Sequence, residues 1–120
     1  MEIMEKAINL ADDLGIRIIQ LAGYDEYYEE GSEESERLFR ENLKKATLMA
    51  ASKGIVIGFE TMETEFMNTT EKAMKYVNLI DNPYLGVYPD SGNLTNAAVT
   101  YGTSVLDDLE TGRDHILHFI

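Results

Sequence analysis

The sequence predicts an α/β fold, with a parallel sheet of about four strands and helices packed outside it, on three observations. Helix and strand patterns alternate along the chain, which is typical of a parallel sheet. Residues 54–60, Gly-Ile-Val-Ile-Gly-Phe-Glu, are apolar at nearly every position, as in a parallel strand that is covered on both faces. The chain has 120 residues, enough for one domain, so residues 1–120 are treated as a single unit.

Each element is predicted from the spacing of its apolar residues and from the residues that end it. The predicted helices cover residues 1–14, 32–53, 68–80 and 103–109. The predicted strands cover residues 16–21, 54–60, 84–88 and 115–120. We expect the first helix to present one apolar stripe, made of Ile3, Ala7, Leu10, Ala11 and Leu14. Residues 94–102 are expected to form an irregular loop.

Capping residues indicate where these helices begin and end. Gly15 follows the first helix, where a left-handed C-terminal cap is expected. Ser32 is the predicted N-cap of the second helix, whose acidic first turn suits the helix dipole. Residues 68–71, Asn-Thr-Thr-Glu, resemble a capping box that opens the third helix. Pro83 ends that helix because proline cannot continue its hydrogen bonds, and the next strand follows.

The charge and composition of the chain argue against several classes of function. Acidic residues number 22 against 10 basic ones, a formal charge of −12, so no nucleic acid and no membrane surface is expected as a partner. The absence of cysteine excludes disulfides and thiolate chemistry. We find no signal peptide and no apolar stretch long enough to cross a bilayer, and we expect a cytoplasmic protein.

Two acidic residues come at the ends of successive predicted strands. Glu60 ends the central strand, and Asp90 follows the next one. Because parallel strands end at the same side of a sheet, where α/β folds bind their ligands, these carboxylates are expected to share one divalent cation. Oxygen ligands suit Mn²⁺ or Mg²⁺, and an added imidazole would suit Zn²⁺ or Co²⁺. The alternative is that each carboxylate caps a following helix or pairs with a lysine.

Other polar residues near the strand ends are weaker candidates. Glu63 and Glu65 lie farther out in the loop after the central strand. Ser91 and Asn93, beside a glycine, are suited either to hydrogen-bonding a polyol or to forming a turn. The tyrosine-rich loop that begins at Tyr24 either lines a pocket or covers the surface.

Three segments resemble one family of enzymes. They are residues 18–25 (Ile-Ile-Gln-Leu-Ala-Gly-Tyr-Asp), residues 59–62 (Phe-Glu-Thr-Met) with Met67-Asn68 downstream, and residues 88–94 (Tyr-Pro-Asp-Ser-Gly-Asn-Leu). They resemble the L-ribulose-5-phosphate 3-epimerases, also called L-xylulose-5-phosphate 3-epimerases, whose relatives include hexulose-6-phosphate isomerases. These enzymes are xylose isomerase-like (β/α)₈ TIM barrels. The resemblance implies a half-barrel, running from the third helix to the seventh strand of the family's barrel.

The resemblance also implies roles for individual residues. The family binds one divalent metal through a glutamate, an aspartate, a histidine and a second glutamate on its last four strands. Glu60 matches the first ligand and Asp90 the second, whereas Ile120 stands where the histidine is expected. His118, two residues earlier, is expected to be a packed interior residue. The candidate substrate-binding residues are Gln20, Tyr24 and Asn93.

The implied reaction is epimerisation of a sugar phosphate at carbon 3, which needs a base on one face of that carbon and an acid on the other. In the family the two metal-binding glutamates play these roles, and only Glu60 matches here. We therefore expect a truncated epimerase that is weak or inactive by itself. The alternative is a non-catalytic structural or assembly module. The two open edges of a half-barrel sheet predict a homodimer or larger homo-oligomer.

Overall fold

The computed structural model describes residues 2–22 and 33–118. Within them, three strands form one parallel sheet in the order β1 (Ile18–Ala22), β2 (Val56–Glu60) and β3 (Leu85–Tyr88). Gln20 is paired with Gly58, and Gly58 with Gly86, so these three residues lie in one row across the sheet. The predicted parallel sheet is confirmed.

The fourth predicted strand is present in the described residues only as a single parallel bridge between Val87 and Ile116. Two backbone hydrogen bonds form it. The Val87 N–H donates to the His115 carbonyl at 2.8 Å, and the Leu117 N–H donates to the Val87 carbonyl at 2.8 Å. The segment 115–117 therefore extends the sheet beyond β3 in the predicted direction.

The helices alternate with these strands, as predicted. They are α1 (Glu2–Leu14), α2 (Glu33–Ser52), α3 (Thr70–Ile80), α4 (Ser91–Tyr101) and α5 (Val105–Glu110), with a 3₁₀ turn at Glu65–Met67. The cap of α3 is Thr69, whose side chain accepts a hydrogen bond from the Lys72 N–H at 3.1 Å. None of the helices in the described part of the chain combines the length and the apolar character that spanning a membrane requires.

The loop predicted at residues 94–102 is wrong, because α4 occupies this region. The helix contains two threonines, two asparagines and a glycine, which are poor helix formers. The helix is stabilised at both ends instead. Asp90 caps its first turn, and Gly102, with φ of 68°, closes it in the left-handed conformation that glycine adopts without strain. The hydroxyls of Thr95 and Thr100 donate hydrogen bonds to backbone carbonyls one turn earlier.

The hydrophobic core lies between the sheet and the helices on one side of it. Alternate residues of β2 and β3 point to this side and are fully or almost fully buried, namely Ile57, Phe59, Leu85 and Val87. Four rings pack together there, with centroids 5.1 to 6.3 Å apart between neighbours, and they belong to Phe39, Phe59, Phe66 and Tyr76. Offset and edge-to-face ring contacts of this kind add to the area that is buried.

The opposite face of the sheet, here called the inner face, carries Gln20, Gly58 and Gly86 in one layer and Glu60 in the next. Leu117 lies over the two glycines. A Cβ atom on Gly58 would come within 2.9 Å of a Leu117 methyl group, and a Cβ on Gly86 within 3.0 Å of Leu117 Cγ. The inner face is therefore flat beneath Leu117 and open around β1, where Gln20 is exposed.

The apolar stripe predicted for α1 is only partly correct. The helix forms, but its buried side centres on Ile8 and Ala11. Ile3, Leu10 and Leu14 are exposed in the described structure. The apolar surface of α1 is thus broader than its contact with the core, and about half of it faces outward.

Candidate functional site

Glu60 is the last residue of β2, at the carboxyl end of the sheet. It is paired with Ala22 on β1 and Tyr88 on β3, so its side chain belongs to the inner face. The β-strand places this side chain because inward and outward positions alternate, and the buried Phe59 just before it anchors the register. The prediction that Glu60 ends a parallel strand is confirmed.

Asp90 lies two residues beyond the end of β3 and is the N-cap of α4. Its Oδ1 atom accepts a hydrogen bond from the Asn93 N–H at 3.0 Å, and its own N–H donates to Thr61 Oγ1 at 2.9 Å. The helix-capping alternative raised from the sequence is therefore present. A capping carboxylate is held in one orientation by these contacts, which also fixes where it stands relative to Glu60.

The ionisation of Glu60 depends on its burial and on the charges around it. Partial burial raises the pKa of Glu60, and the charge of Asp90 raises it further, with a smaller contribution from Glu63. A hydrogen bond from the Gln20 side chain opposes these effects by stabilising the ionised form. Glu60 is thus a carboxylate with increased basicity, beside a second negative charge and within reach of Gln20.

The other predicted site residues differ in where they lie and in what they contact. Asn93 donates its side-chain amide to the Thr61 carbonyl at 2.9 Å, so it braces the site in this structure. Ser91 begins α4, and Glu65 is exposed at the start of the 3₁₀ turn. Tyr24 is outside the described residues, as is Ile120.

His118 was expected to be packed in the interior, and that prediction is wrong for the chain by itself. Its side chain is exposed, although its ring lies 5.5 Å from the ring of Tyr88. The physical reason is that residue 118 follows the single bridge at Ile116, where the described chain covers only one side of the segment.

Thr61 is the residue that sequence reasoning missed. It is fully buried, its hydroxyl accepts from Asp90 and its carbonyl accepts from Asn93. It therefore connects the end of β2 to the start of α4 and fixes the spacing of the two carboxylates. The only signal in the sequence is its place directly after Glu60, which does not reveal partners 29 and 32 residues away.

A second connection, between the loop after β2 and the end of α4, was also missed. Lys72 Nζ donates to the Glu65 carbonyl at 2.6 Å, to Asn68 Oδ1 at 2.9 Å and to the Tyr101 hydroxyl at 2.9 Å. These contacts tie the loop after β2 to the end of α4. The hydrogen bond from Lys72 also lowers the pKa of Tyr101.

The donor set suits a hard divalent cation but is small. Glu60 and Asp90 offer carboxylate oxygens, the ligands that Mn²⁺ and Mg²⁺ prefer. Their mutual repulsion, which raises the pKa of Glu60, is what a bound cation would relieve. Across residues 2–22 and 33–118, however, no group of three or more His, Cys, Asp or Glu side chains is placed to hold a metal ion.

Comparison with known proteins adds to this geometry. The L-ribulose-5-phosphate 3-epimerase UlaE of Escherichia coli O139:H28 is 42% identical over 117 residues, which are 98% of this chain and 40% of that protein. UlaE of Escherichia fergusonii matches with the same identity and coverage. The chain therefore spans about two fifths of the length of these curated relatives, which are 3-epimerases.

Solved structures support the fold. The D-allulose 3-epimerase of Methylomonas sp., in complex with D-allulose, superposes with a TM-score of 0.81 at 18% identity, covering 98% of this chain and 42% of that one. The model of the xylose isomerase-like TIM barrel family matches residues 1–119. With the parallel sheet and its outer helices in place, this match establishes that the chain belongs to the xylose isomerase-like TIM barrel family.

Proposed function

We propose that this chain supplies one half of the site of a ketose-phosphate 3-epimerase, with an L-ribulose or L-xylulose 5-phosphate as substrate. The observation that supports the proposal is that Glu60 and Asp90 both lie at the carboxyl end of the sheet, where the charge of Asp90 raises the pKa of Glu60, in a chain 42% identical to an L-ribulose-5-phosphate 3-epimerase. That end of the sheet is where enzymes of this architecture bind substrates.

Glu60 is the proposed base. Its carboxylate takes the proton from carbon 3 of the ketose, and the electron pair of the broken C–H bond passes into an enediolate with the neighbouring carbonyl. A base works best when its pKa approaches the working pH, and the raised pKa of Glu60 moves it in that direction. Gln20 holds the Glu60 carboxylate, and Asn93 and Tyr24 are the further proposed contacts to the sugar.

Glu60 and Asp90 would hold the divalent cation, which supplies positive charge to the enediolate oxygens. Mn²⁺, Mg²⁺, Zn²⁺ and Co²⁺ are all compatible with these ligands. Thr61 and Asn93 keep Asp90 in place, so the spacing of the two carboxylates is built into the fold.

Epimerisation also requires a proton to return on the opposite face of carbon 3. Among the described residues of the three strands, Glu60 is the carboxylate on the inner face at the carboxyl end of the sheet, and Asp90 is engaged as a helix cap. We therefore infer that the chain by itself removes the proton from carbon 3 more readily than it completes the epimerisation. A second candidate function, a structural or assembly module, is favoured by the lack of a three-ligand cluster in the described residues.

Deuterium exchange separates these candidates. We expect the purified chain, with Mn²⁺ and L-ribulose 5-phosphate in D₂O, to replace the hydrogen at carbon 3 with retention, faster than it forms the epimer. Glu60→Gln should abolish the exchange and weaken Mn²⁺ binding in calorimetry by at least about tenfold, since one of two ligands becomes neutral. Glu63→Gln is the matched control and should preserve both. Neither exchange nor Mn²⁺ binding in the wild-type chain would favour the module instead.

A further inference from the structure

Tyr88 is the neighbour of Glu60 on the inner face of the sheet. The two residues are paired across β2 and β3, and each is the last residue of its strand. Paired residues of parallel strands point to the same side of the sheet, and adjacent strands lie about 4.8 Å apart. The tyrosine side chain therefore starts directly beside the proposed base, on the side away from β1.

The ring of Tyr88 leans over β2, into space that Gly58 leaves open. A Cβ atom on Gly58 would stand 3.3 Å from Tyr88 Cβ and 3.5 Å from Tyr88 Cδ2. Leu117 shares this space, since the same Cβ would come within 2.9 Å of one of its methyl groups. The lack of a side chain at Gly58 thus allows an aromatic ring and a leucine to lie over the strand that carries Glu60.

The ring of Tyr88 also contacts His118, which helps to hold its orientation. The two ring centroids are 5.5 Å apart, and the ring planes are inclined at 59°. Aromatic rings favour tilted contacts at this separation. Tyr88 is nevertheless only partly buried, so part of its side chain remains accessible to a ligand. An accessible ring with a fixed orientation offers a defined apolar surface beside Glu60.

The surroundings of Glu60 therefore differ on its two sides. Toward β1, the Gln20 side chain hydrogen-bonds the Glu60 carboxylate. Toward β3, the paired position carries the Tyr88 ring, and Leu117 follows on the next segment. A ketose has the same division, because its hydroxyls need hydrogen-bond partners when they are buried, whereas its C–H groups can lie on an apolar surface.

We propose that Tyr88 is a specificity-determining residue of the epimerase site, an inference that rests on the proposed function. Its ring contacts C–H groups of the ketose phosphate, and the hydroxyls of the same sugar face Gln20 and the two carboxylates. The ring thereby fixes which side of the sugar faces Glu60, so that the hydrogen at carbon 3 is presented to the base. A sugar with a hydroxyl turned toward the ring buries that hydroxyl without a partner and binds more weakly.

Fluorine NMR tests the contact without relying on activity. In a chain labelled with 3-fluorotyrosine, the Tyr88 signal is assigned by its loss in Tyr88→Phe. With Mg²⁺ present, L-ribulose 5-phosphate should shift the Tyr88 signal until the site is saturated. Tyr101, at the end of α4 and 43% exposed, is the internal control, and its signal should not move. Calorimetric binding of the sugar without a shift of the Tyr88 signal would overturn the inference and leave the proposed function standing.

Substitutions test the role in specificity. Tyr88→Ala should raise the Kd for L-ribulose 5-phosphate about tenfold because the apolar contact is lost, whereas Tyr88→Phe keeps the ring and should retain most of the affinity. D-xylulose 5-phosphate, the carbon-4 epimer, exchanges a hydrogen and a hydroxyl next to the reacting carbon, and the preference against it should fall in Tyr88→Ala. Tyr84→Ala is the matched control. Tyr84 is also partly buried but directly precedes β3, at the other end of the sheet, so neither quantity should change.

The outcomes separate this inference from the proposed function. A chain that exchanges the hydrogen at carbon 3 but keeps its affinity and preference in a folded Tyr88→Ala refutes the role of Tyr88 alone. A large loss of affinity in Tyr88→Phe would mean that the hydroxyl makes the contact, and would refute the apolar surface. A wild-type chain that neither binds L-ribulose 5-phosphate nor exchanges its hydrogen refutes both proposals. If Tyr88→Ala does not fold, the NMR shift and the affinity of Tyr88→Phe decide.

Discussion

The two faces of the sheet differ in what covers them. On the helix-facing side, Ile57, Phe59, Leu85 and Val87 are buried within one continuous core. On the inner face the corresponding positions carry two glycines, a carboxylate and the exposed Gln20. The comparison indicates that the first face supplies most of the stability of the chain and that the second is open around the proposed site. Substitutions on the two faces should therefore have different consequences.

The largest effect is expected on the helix-facing side. Phe59→Ala removes a fully buried ring that stacks on Phe39 at 5.9 Å, and large-to-small changes of this kind cost about 3–5 kcal/mol. Urea unfolding should show this loss in the free energy of unfolding. Ile18→Ala on the inner face, where the side chain is half exposed, is the control and should cost much less. Equal losses at the two positions would remove the distinction between the faces.

A smaller loss is expected where the inner face is closely packed. Gly86→Ala would place a Cβ atom 2.7 Å from the His115 carbonyl, so the segment 115–117 has to move. Overpacking of this kind costs about 1–3 kcal/mol, which chemical denaturation should detect. Gly58→Ala is the matched comparison, because its nearest neighbour is the end of the Leu117 side chain, which can rotate away. If Gly58→Ala proved the more damaging change, the segment would not be held as described.

Thr61→Val tests the link between the end of β2 and the start of α4. It removes the hydroxyl that accepts from the Asp90 N–H, a hydrogen bond with a net contribution of about 0.5–1.5 kcal/mol. We expect a comparable loss of stability together with weaker Mn²⁺ binding, since Asp90 is no longer held. Thr95→Val is the control. Its hydroxyl bonds to Ser91 on the exposed side of α4, so neither quantity should change appreciably.

The smallest expected effect is a gain in stability, whereas the preceding substitutions should reduce stability. The pKa of Glu60 is raised in the folded chain, so its ionised form is less stable there than in the unfolded chain. Glu60→Gln should therefore raise the melting temperature at neutral pH, by less than the equivalent of about 1 kcal/mol because solvent screens the site. Below the ordinary carboxyl pKa the gain should vanish, and above the raised pKa it should be complete. A variant less stable than the wild type at pH 7 would contradict this assignment.

Local patterns predicted much of this architecture. The uninterrupted apolar run before Glu60 predicted a strand covered on both faces. Ile57 and Phe59 are fully buried on the helix-facing side, whereas on the inner face of β2 only Gly58, beneath Leu117, is buried. Alternation of helix and strand predicted the parallel order, because a crossover helix returns the chain in the same direction. The same order predicted that Glu60 and Asp90 lie at the same end of the sheet, as they do.

Other features could not be predicted in this way. The helix α4 forms against the propensities of its residues because Asp90 and Gly102 fix its ends. The apolar surface of α1 was visible in the sequence, but which half of it contacts the core depends on how α1 lies against α2. Propensity and periodicity describe a segment by itself, and these outcomes depend on its neighbours.

The sequence by itself determined the strand order, the end of the sheet at which the carboxylates lie and the acidic character of the chain, because each depends on residues close together in the chain. Only the tertiary structure decided that Thr61 holds Asp90 and Asn93, that Gln20 bonds Glu60, and that Leu117 covers the two glycines. These contacts join residues 29 to 59 positions apart. Their physical basis is the packing of separate βα units side by side, which no local pattern encodes.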